Sequence, residues 1–297
     1  MDYYWDSRIK YLMSSRELYF NDDYIEFLIK NVWKITSPIH MVDFGCGFGY
    51  LGLKMLPFMP KGTKYTGIDK GEALIKKAKE IFEKLPYEAS FIQSDVNDFE
   101  VSEFEFDLAI CQALLLHLVN PKEVLNKMIQ SVKLEGKIVC IEPHRISANA
   151  NIYIAELAEE TNIDLGIIQK LHSVYQKRTG KDGNIGLKIP TLMRENGLID
   201  IECRVSDRVT YLNSDKEKKV RENIFKSLKS EGVCPPHIED EEKYLKRLID
   251  NKLDLKEAKR QIEIEKKLNS ELTESGILYN ILFAPTMMIS FGNRRKI

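Results

Sequence analysis

Between residues 39 and 150, short apolar runs alternate with amphipathic stretches, and this alternation constrains the fold more than any other feature of the chain. Apolar runs of about five residues suit strands buried on both faces, whereas apolar residues recurring every three or four positions suit helices laid against them. Runs at 39–44, 64–68, 89–92, 106–111 and 137–141 are therefore expected to be strands. The stretches 49–58, 72–85 and 120–132 are expected to be helices; the second carries Ala73, Leu74, Ala78, Ile81 and Phe82 at helical spacing and is stopped by Pro86. Asn120-Pro121 reads as an N-cap followed by proline at the first helical position. Strand, helix and strand in repetition imply right-handed crossovers and an α/β, Rossmann-like, doubly wound sheet.

Beyond residue 146 the pattern changes. Residues 147–178 read as helical, 179–184 as a loop, and 190–196 as a helix stopped by Gly197. Residues 199–212 alternate as a half-exposed strand does, with Ile201, Cys203 and Val205 on one face. Residues 214–275 are dense in charges of both signs, with leucine or isoleucine three or four apart, which predicts a helical insertion with solvated faces. Apolar character returns at 277–291, where Pro285 predicts a bend or an edge position. Over the 297 residues, 44 Lys and Arg face 45 Asp and Glu, a net charge of −1 that leaves no global field for nucleic acid or anionic lipid. No apolar run reaches the length of a membrane span, and the start of the chain lacks the cationic and apolar regions of a signal peptide. The five cysteines are widely spaced and contain no Cys-x-x-Cys pair, which fits reduced thiols and points to the cytoplasm.

Chemistry concentrates in the turn after the first strand, Asp43-Phe44-Gly45-Cys46-Gly47-Phe48-Gly49-Tyr50-Leu51-Gly52. Alternate glycines let backbone approach a ligand, and the following helix offers unpaired N–H groups. Gly47, Gly49 and Gly52 match the Gly-x-Gly-x-x-Gly spacing of dinucleotide sites, so a nicotinamide-dependent oxidoreductase is one reading. The other frames the turn as Asp43-x-Gly45-x-Gly47-x-Gly49. In that frame it resembles the first motif of the class I S-adenosylmethionine-dependent methyltransferases, and five further landmarks follow in order. Strand two ends at Asp69, followed by Lys70; strand three ends Gln93-Ser94-Asp95-Val96; strand four ends Cys111-Gln112 and leads into Leu114-Leu115-Leu116-His117. Strand five ends Glu142-Pro143, and Leu192-Met193-Arg194-Glu195-Asn196-Gly197-Leu198 is similar to the family's lead into its sixth strand. The first of the family's paired histidines is Leu116 here, and the second corresponds to His117.

The resemblance implies a seven-stranded sheet, mostly parallel, with a last strand at 278–290 antiparallel between the fifth and sixth. One domain would then comprise an N-terminal helical extension (1–37), a cofactor-binding core (38–145), a helical insertion (146–187), the C-terminal part of the sheet (188–212 and 277–293) and a second helical insertion (213–276). It implies S-adenosylmethionine as cofactor, held by Asp43, Gly45, Cys46, Gly47, Gly49, Asp69, Lys70, Asp95, Val96, Cys111 and Gln112. Asp69 would accept the ribose hydroxyls and Asp95 the adenine amino group. His117 and His144 follow strand ends where the ligand crevice of such a sheet opens, and are the candidate general bases. No histidine stands at metal-ligand spacing with another ligand, so no metal is expected. The Asn/Asp-Pro-Pro-aromatic turn of enzymes that methylate base amino groups is replaced by Cys111-Gln112-Ala113-Leu114, which favours a small-molecule acceptor over nucleic acid. Eight aromatics crowd the N-terminus: Tyr3, Tyr4, Trp5, Tyr11, Tyr19, Phe20, Tyr24 and Phe27. They suit either a lid over the cofactor or helices packing rings on the sheet, and Arg16 either a partner for the cofactor carboxylate or a surface ion pair. A methyltransferase-like fold serving only as an interaction module stays open beside the two enzymatic readings.

Overall fold

The computed structural model describes residues 3–101, 103–157 and 164–295. Ten strands run in chain order: β1 (His40–Phe44), β2 (Lys64–Asp69), β3 (Glu88–Gln93), β4 (Phe106–Gln112), β5 (Val132–Pro143), β6 (Ile152–Ile154), β7 (Ile199–Val205), β8 (Thr210–Leu212), β9 (Ile281–Phe283) and β10 (Met287–Asn293). Seven form one sheet of order β3-β2-β1-β4-β5-β10-β7. Its first five members are parallel, and β10 lies antiparallel to both neighbours, with Ile289 opposite Ile141 on one side and Ser290 opposite Cys203 on the other. The strand order reverses at β1 and β4, which opens the crevice at their C-terminal ends where such folds bind ligands.

Alternation along the central strands divides the core into two layers. Met41, Leu108, Ile110, Val139 and Ile141 face one side, together with α3 (Tyr50–Met55) and α4 (Glu72–Phe82). Val42, Phe44, Ala109, Cys111, Ile138 and Cys140 face the other, against α5 (Pro121–Ser131) and α8 (Ile189–Glu195). The expected helix stops hold, but Asn120 makes no side-chain cap to α5, and Pro121 alone opens that helix. At α4 the cap comes from far away in sequence: Asp6 Oδ1 accepts from the Leu74 N–H at 3.2 Å.

The N-terminal segment contains α1 (Ile9–Ser15) and α2 (Asp22–Phe27) and divides in two. Phe20, Ile25, Leu28 and Ile29 are almost wholly buried in the first core layer, each burial contributing about 1.5–3 kcal/mol. Tyr3, Trp5, Arg8, Tyr11, Leu12 and Arg16 instead line a cavity at the C-terminal ends of the strands. The ring-packing expectation thus holds for the second half of the segment, while the first half borders the cavity.

Three boundaries differ from expectation. The stretch 147–178 holds α6 (Arg145–Ala150), then β6, then α7 (Leu165–Thr179), with 158–163 outside the described residues. The expected strand 199–212 is two strands, and the expected last strand 278–290 is β9 and β10. One device explains the last two. Pro285, lacking an N–H, ends the ladder; Ser206 Oγ donates to its carbonyl at 3.0 Å, and the two chains leave the large sheet together. They re-pair beyond the bend as a three-stranded sheet, β6-β9-β8, whose only sequence trace is three short alternations.

The charged insertion is helical as expected, in α9 (Lys218–Ser230), α10 (Glu241–Asp250) and α11 (Leu255–Glu274), the last opened by a reciprocal cap between Asp254 and Glu257. Its outer faces are solvated, but it also has an interior. Leu228, Leu268 and Leu272 pack with Leu18, Ile281 and Phe283, while Leu248, Leu253, Ala258 and Ile262 pack on Ile167. Among the described residues, no helix is long and apolar enough to cross a membrane, and no group of three His, Cys, Asp or Glu is gathered as a metal requires.

Candidate active site

Gly45, Gly47 and Gly49 all take positive φ (71°, 55° and 86°), so the turn after β1 folds back on itself. Gly45 and Cys46 donate to the Ile68 carbonyl at 2.8 and 2.9 Å, which fixes the turn to the end of β2. A Cβ on Gly47 would meet nothing within 4 Å, because this position faces open space. Gly49 is different: a Cβ there would sit 2.7 Å from the Phe82 ring, so glycine is required where α3 begins to pack on α4.

Above this turn is a cavity of about 660 Å³, within the size range of small-molecule sites. Asp43, Gly45, Cys46, Gly47, Asp69, Lys70, Asp95, Val96, Gln112 and His117 line it. Three of the expected residues do not. Gly49 shapes the turn from behind; Cys111 is fully buried under the cavity floor with its thiol toward Glu142 (3.8 Å); and His144 stands outside, before α6. The bend of the chain at the end of β5 carries Arg145, not His144, into the cavity wall.

The acidic side is ordered by hydrogen bonds. Asp69 Oδ2 accepts from Gly47 N at 2.9 Å and Oδ1 from Gly71 N at 2.8 Å; burial nevertheless raises its carboxyl above the usual range. Asp43 is fully buried, and burial pushes it up to about 7 although the Tyr65 hydroxyl donates to Oδ2 at 2.7 Å. Burial raises Asp95 too, but hydrogen bonds from Asn97 and Lys70 outweigh it and hold the carboxyl below the usual range. Both Asp95 oxygens thus accept hydrogen bonds from the protein, Oδ1 from Asn97 and Oδ2 from Lys70, and Oδ2 keeps a second lone pair. Burial pushes the Cys46 thiol well up, so it stays neutral.

Residues 3–16 form the roof. Tyr3, Trp5, Arg8, Tyr11, Leu12 and Arg16 all line the cavity. Lys70 Nζ lies 4.7 Å from the centre of the Tyr3 ring, and Trp5 meets the His117 ring edge-on at 5.1 Å. Arg16 makes no ion pair among the described residues; its carbonyl takes the Tyr50 hydroxyl at 2.9 Å, which holds it over the start of α3. The roof is fastened to the insertion where Glu231 accepts from Tyr11 at 3.2 Å and from Tyr19 at 2.8 Å, and where the Ser14 and Ser230 hydroxyls meet at 3.2 Å.

On the far wall, Glu142 is fully buried and accepts from three consecutive amides, Leu114, Leu115 and Leu116, at 3.0, 2.8 and 3.3 Å. It thereby holds the short turn Leu115–His117 and aims His117 into the cavity. Sequence reading passed over this role; the signal was an acid closing the apolar run Ile138 to Ile141. Burial, then Arg145, Lys181 and Arg16, push His117 down to about 4. The folded protein therefore refuses a proton that the unfolded chain accepts near 6.5. Stability tied to this ring is complete above about pH 6.5 and is lost as pH falls toward 4. An NMR titration of the imidazole, assigned with His117→Asn, is expected to show a midpoint near 4 and a flatter acid limb of stability in the variant. A midpoint near 6.5 would contradict this burial.

The methyltransferase domain family matches residues 35–197, more than half of the chain. The chain belongs to that family. S-adenosylmethionine is the family's cofactor, and the sheet, with its one antiparallel strand, is the class I methyltransferase fold. Among curated relatives, the chain is 30% identical over 146 residues to the tRNA U34 carboxymethyltransferase of Helicobacter pylori, covering 47% of this chain and 48% of that protein. It is 22% identical over 133 residues to the ubiquinone biosynthesis O-methyltransferase of Rickettsia prowazekii, covering 45% and 51%. The match thus spans about half the length of these relatives. Among solved structures, phosphoethanolamine N-methyltransferase 2 of Haemonchus contortus, bound to S-adenosylmethionine, superposes with TM-score 0.52 at 13% identity, over 98% of this chain and 59% of that one. The YcgJ protein of Bacillus subtilis gives 0.51 at 11%, over 93% and 100%. At these identities the likeness concerns the fold.

The residues present fit the methyltransferase cofactor. Asp43 Oδ1 and Gln112 Nε2 are buried polar atoms without a hydrogen-bond partner among the described residues, one an acceptor and the other a donor, and both residues line the cavity. An amino-acid moiety offers the complementary pair.

Proposed function

We propose that this methyltransferase-family chain transfers a methyl group from S-adenosylmethionine to a small-molecule acceptor. What carries the reading is one cavity that joins the glycine turn and its acids to His117 beneath an aromatic roof. When bound, the cofactor supplies a methyl group already activated on a sulfonium. The chain's own task is alignment and exclusion of water, and good alignment is worth roughly 7–11 kcal/mol in well-oriented reactions. Asp69 holds the ribose, its two oxygens each keeping a second lone pair beside the backbone amides they already bind. Asp43 and Gln112 hold the amino-acid end, and Lys70, Asp95 and Val96 border the base. His117, neutral at physiological pH, accepts a proton from an acceptor that arrives protonated. The covering of the cavity by Tyr3, Trp5 and Tyr11 supports a small acceptor over a polynucleotide.

Thermal unfolding with added ligand separates this from the nicotinamide reading. S-adenosylhomocysteine at about 100 times its Kd is expected to stabilise the protein by about 2.7 kcal/mol, while NAD and NADP leave it unchanged. Stabilisation by NAD(P) alone would reverse the assignment, and no response to either would favour the interaction module.

A further inference from the structure

The wall opposite the acids is cationic, and its charges are uncommitted. Arg145 and Lys181 both line the cavity, and neither makes an ion pair among the described residues. The acids nearest them in sequence are engaged elsewhere: Glu142 with the amides of Leu114 to Leu116, and Asp182 with Lys188 Nζ at 2.6 Å through Oδ2 and Asn184 N at 2.9 Å through Oδ1. Local structure brings the two cations together. Gly180, at φ 72°, ends α7 and turns the chain so that Lys181 enters the wall, and the Asn184 side chain accepts from Ile146 N at 3.1 Å, tying this loop to the first turn of α6. Gly183 leaves room for the arginine stem; a Cβ there would lie 3.0 Å from Arg145 Cδ. Arg16, whose carbonyl is anchored by Tyr50 at the start of α3, is a third cation close enough to His117 to lower it with the other two. Two unpaired cations in a concave, partly desolvated wall concentrate anions.

Resting on the methyltransferase reading, we propose that the acceptor is a small anionic molecule, a carboxylate or a phosphate monoester, whose anionic group is held between Arg145 and Lys181 while its nucleophilic atom lies beside His117. Arg145 supplies a planar fork for two oxygens, and Lys181 supplies a point charge. The same two cations help keep His117 neutral, so one arrangement both recognises the anion and preserves a base.

Calorimetric titration of the protein loaded with S-adenosylhomocysteine, using benzoate and phenyl phosphate as probes, tests the proposal. Saturable binding of one probe is expected, and which probe binds identifies the anionic group. The double variant Arg145→Met, Lys181→Met is expected to weaken that probe by at least about tenfold, with S-adenosylhomocysteine affinity changed less than about threefold. The single variant Lys181→Met, in a loop, is expected to give an intermediate loss and guards against misfolding of the double. If the loaded wild-type protein binds neither probe, or the double variant retains probe binding, the proposal is overturned. Loss of S-adenosylhomocysteine together with the probe overturns it as well, by placing the cations at the cofactor. Failure of the wild-type protein to bind S-adenosylhomocysteine at all would instead defeat the underlying methyltransferase reading.

Discussion

Replacing Asp69 with alanine is expected to weaken S-adenosylhomocysteine binding by about two to four orders of magnitude. The carboxylate does two jobs. It clamps the glycine turn through Gly47 N and the start of α4 through Gly71 N, at 2.9 and 2.8 Å, and in the proposed function its remaining lone pairs take the ribose hydroxyls. Hydrogen bonds to a charged group are each worth about 1.5–3 kcal/mol, and two of them sum to about 3–6 kcal/mol, at about 1.4 kcal/mol per tenfold in Kd. Asp69→Asn retains the shape but turns one acceptor oxygen into a donor, so an intermediate loss is expected. Calorimetry decides the matter: an Asp69→Ala protein that binds within tenfold of wild type would remove Asp69 from the cofactor site.

The largest expected effect on stability comes from Glu142. Truncation to alanine leaves the amides of Leu114, Leu115 and Leu116 without their acceptor, in a region where Glu142 is wholly buried. Each buried unsatisfied group costs about 1–3 kcal/mol, and a loss of about 3–5 kcal/mol is expected, lowering Tm by on the order of 10 °C. The sign of its pH dependence is also determined. Burial pushes Glu142 up to about 7, above the unfolded value near 4.3, so the folded state holds the proton more tightly. Its contribution is complete below about pH 4.3 and is lost as pH rises through about 7. A Glu142→Gln protein should therefore fall short of wild type by more at pH 5 than at pH 8 in denaturant unfolding. Equal deficits at both pH values would mean that burial does not govern this carboxyl.

Much of the cavity was legible because its residues are local to strand ends. Asp43, Asp69, Asp95 and Gln112 each close an apolar run or follow it at once, and in a parallel sheet the C-terminal ends of such runs share one edge. The basic residues were not legible. Arg145 and Lys181 stand in no motif, and they share a wall only because Asn184 ties their loop to α6. His144 illustrates the same limit from the other side: it follows a strand end as His117 does, yet the chain turns there so that the next residue faces the cavity. Glu142 was visible as an acid in an apolar run, but its partners are backbone amides about 26 to 28 positions earlier, which no spacing reveals.

Hydrophobic periodicity and glycine spacing were sufficient for the parallel sheet, its crossovers, the glycine turn after β1 and the acids around it. These depend on contacts within one strand-turn-helix unit and on the handedness of its connections, both of which are local properties. The small second sheet, the roof of residues 3–16, the clamp of Glu231 on Tyr11 and Tyr19, and the cationic wall depend on pairs separated by up to 220 positions. Such pairs form only after the core has brought their elements together, so the cationic side of the cavity was decided by tertiary packing. The acidic side was written into the chain's local pattern.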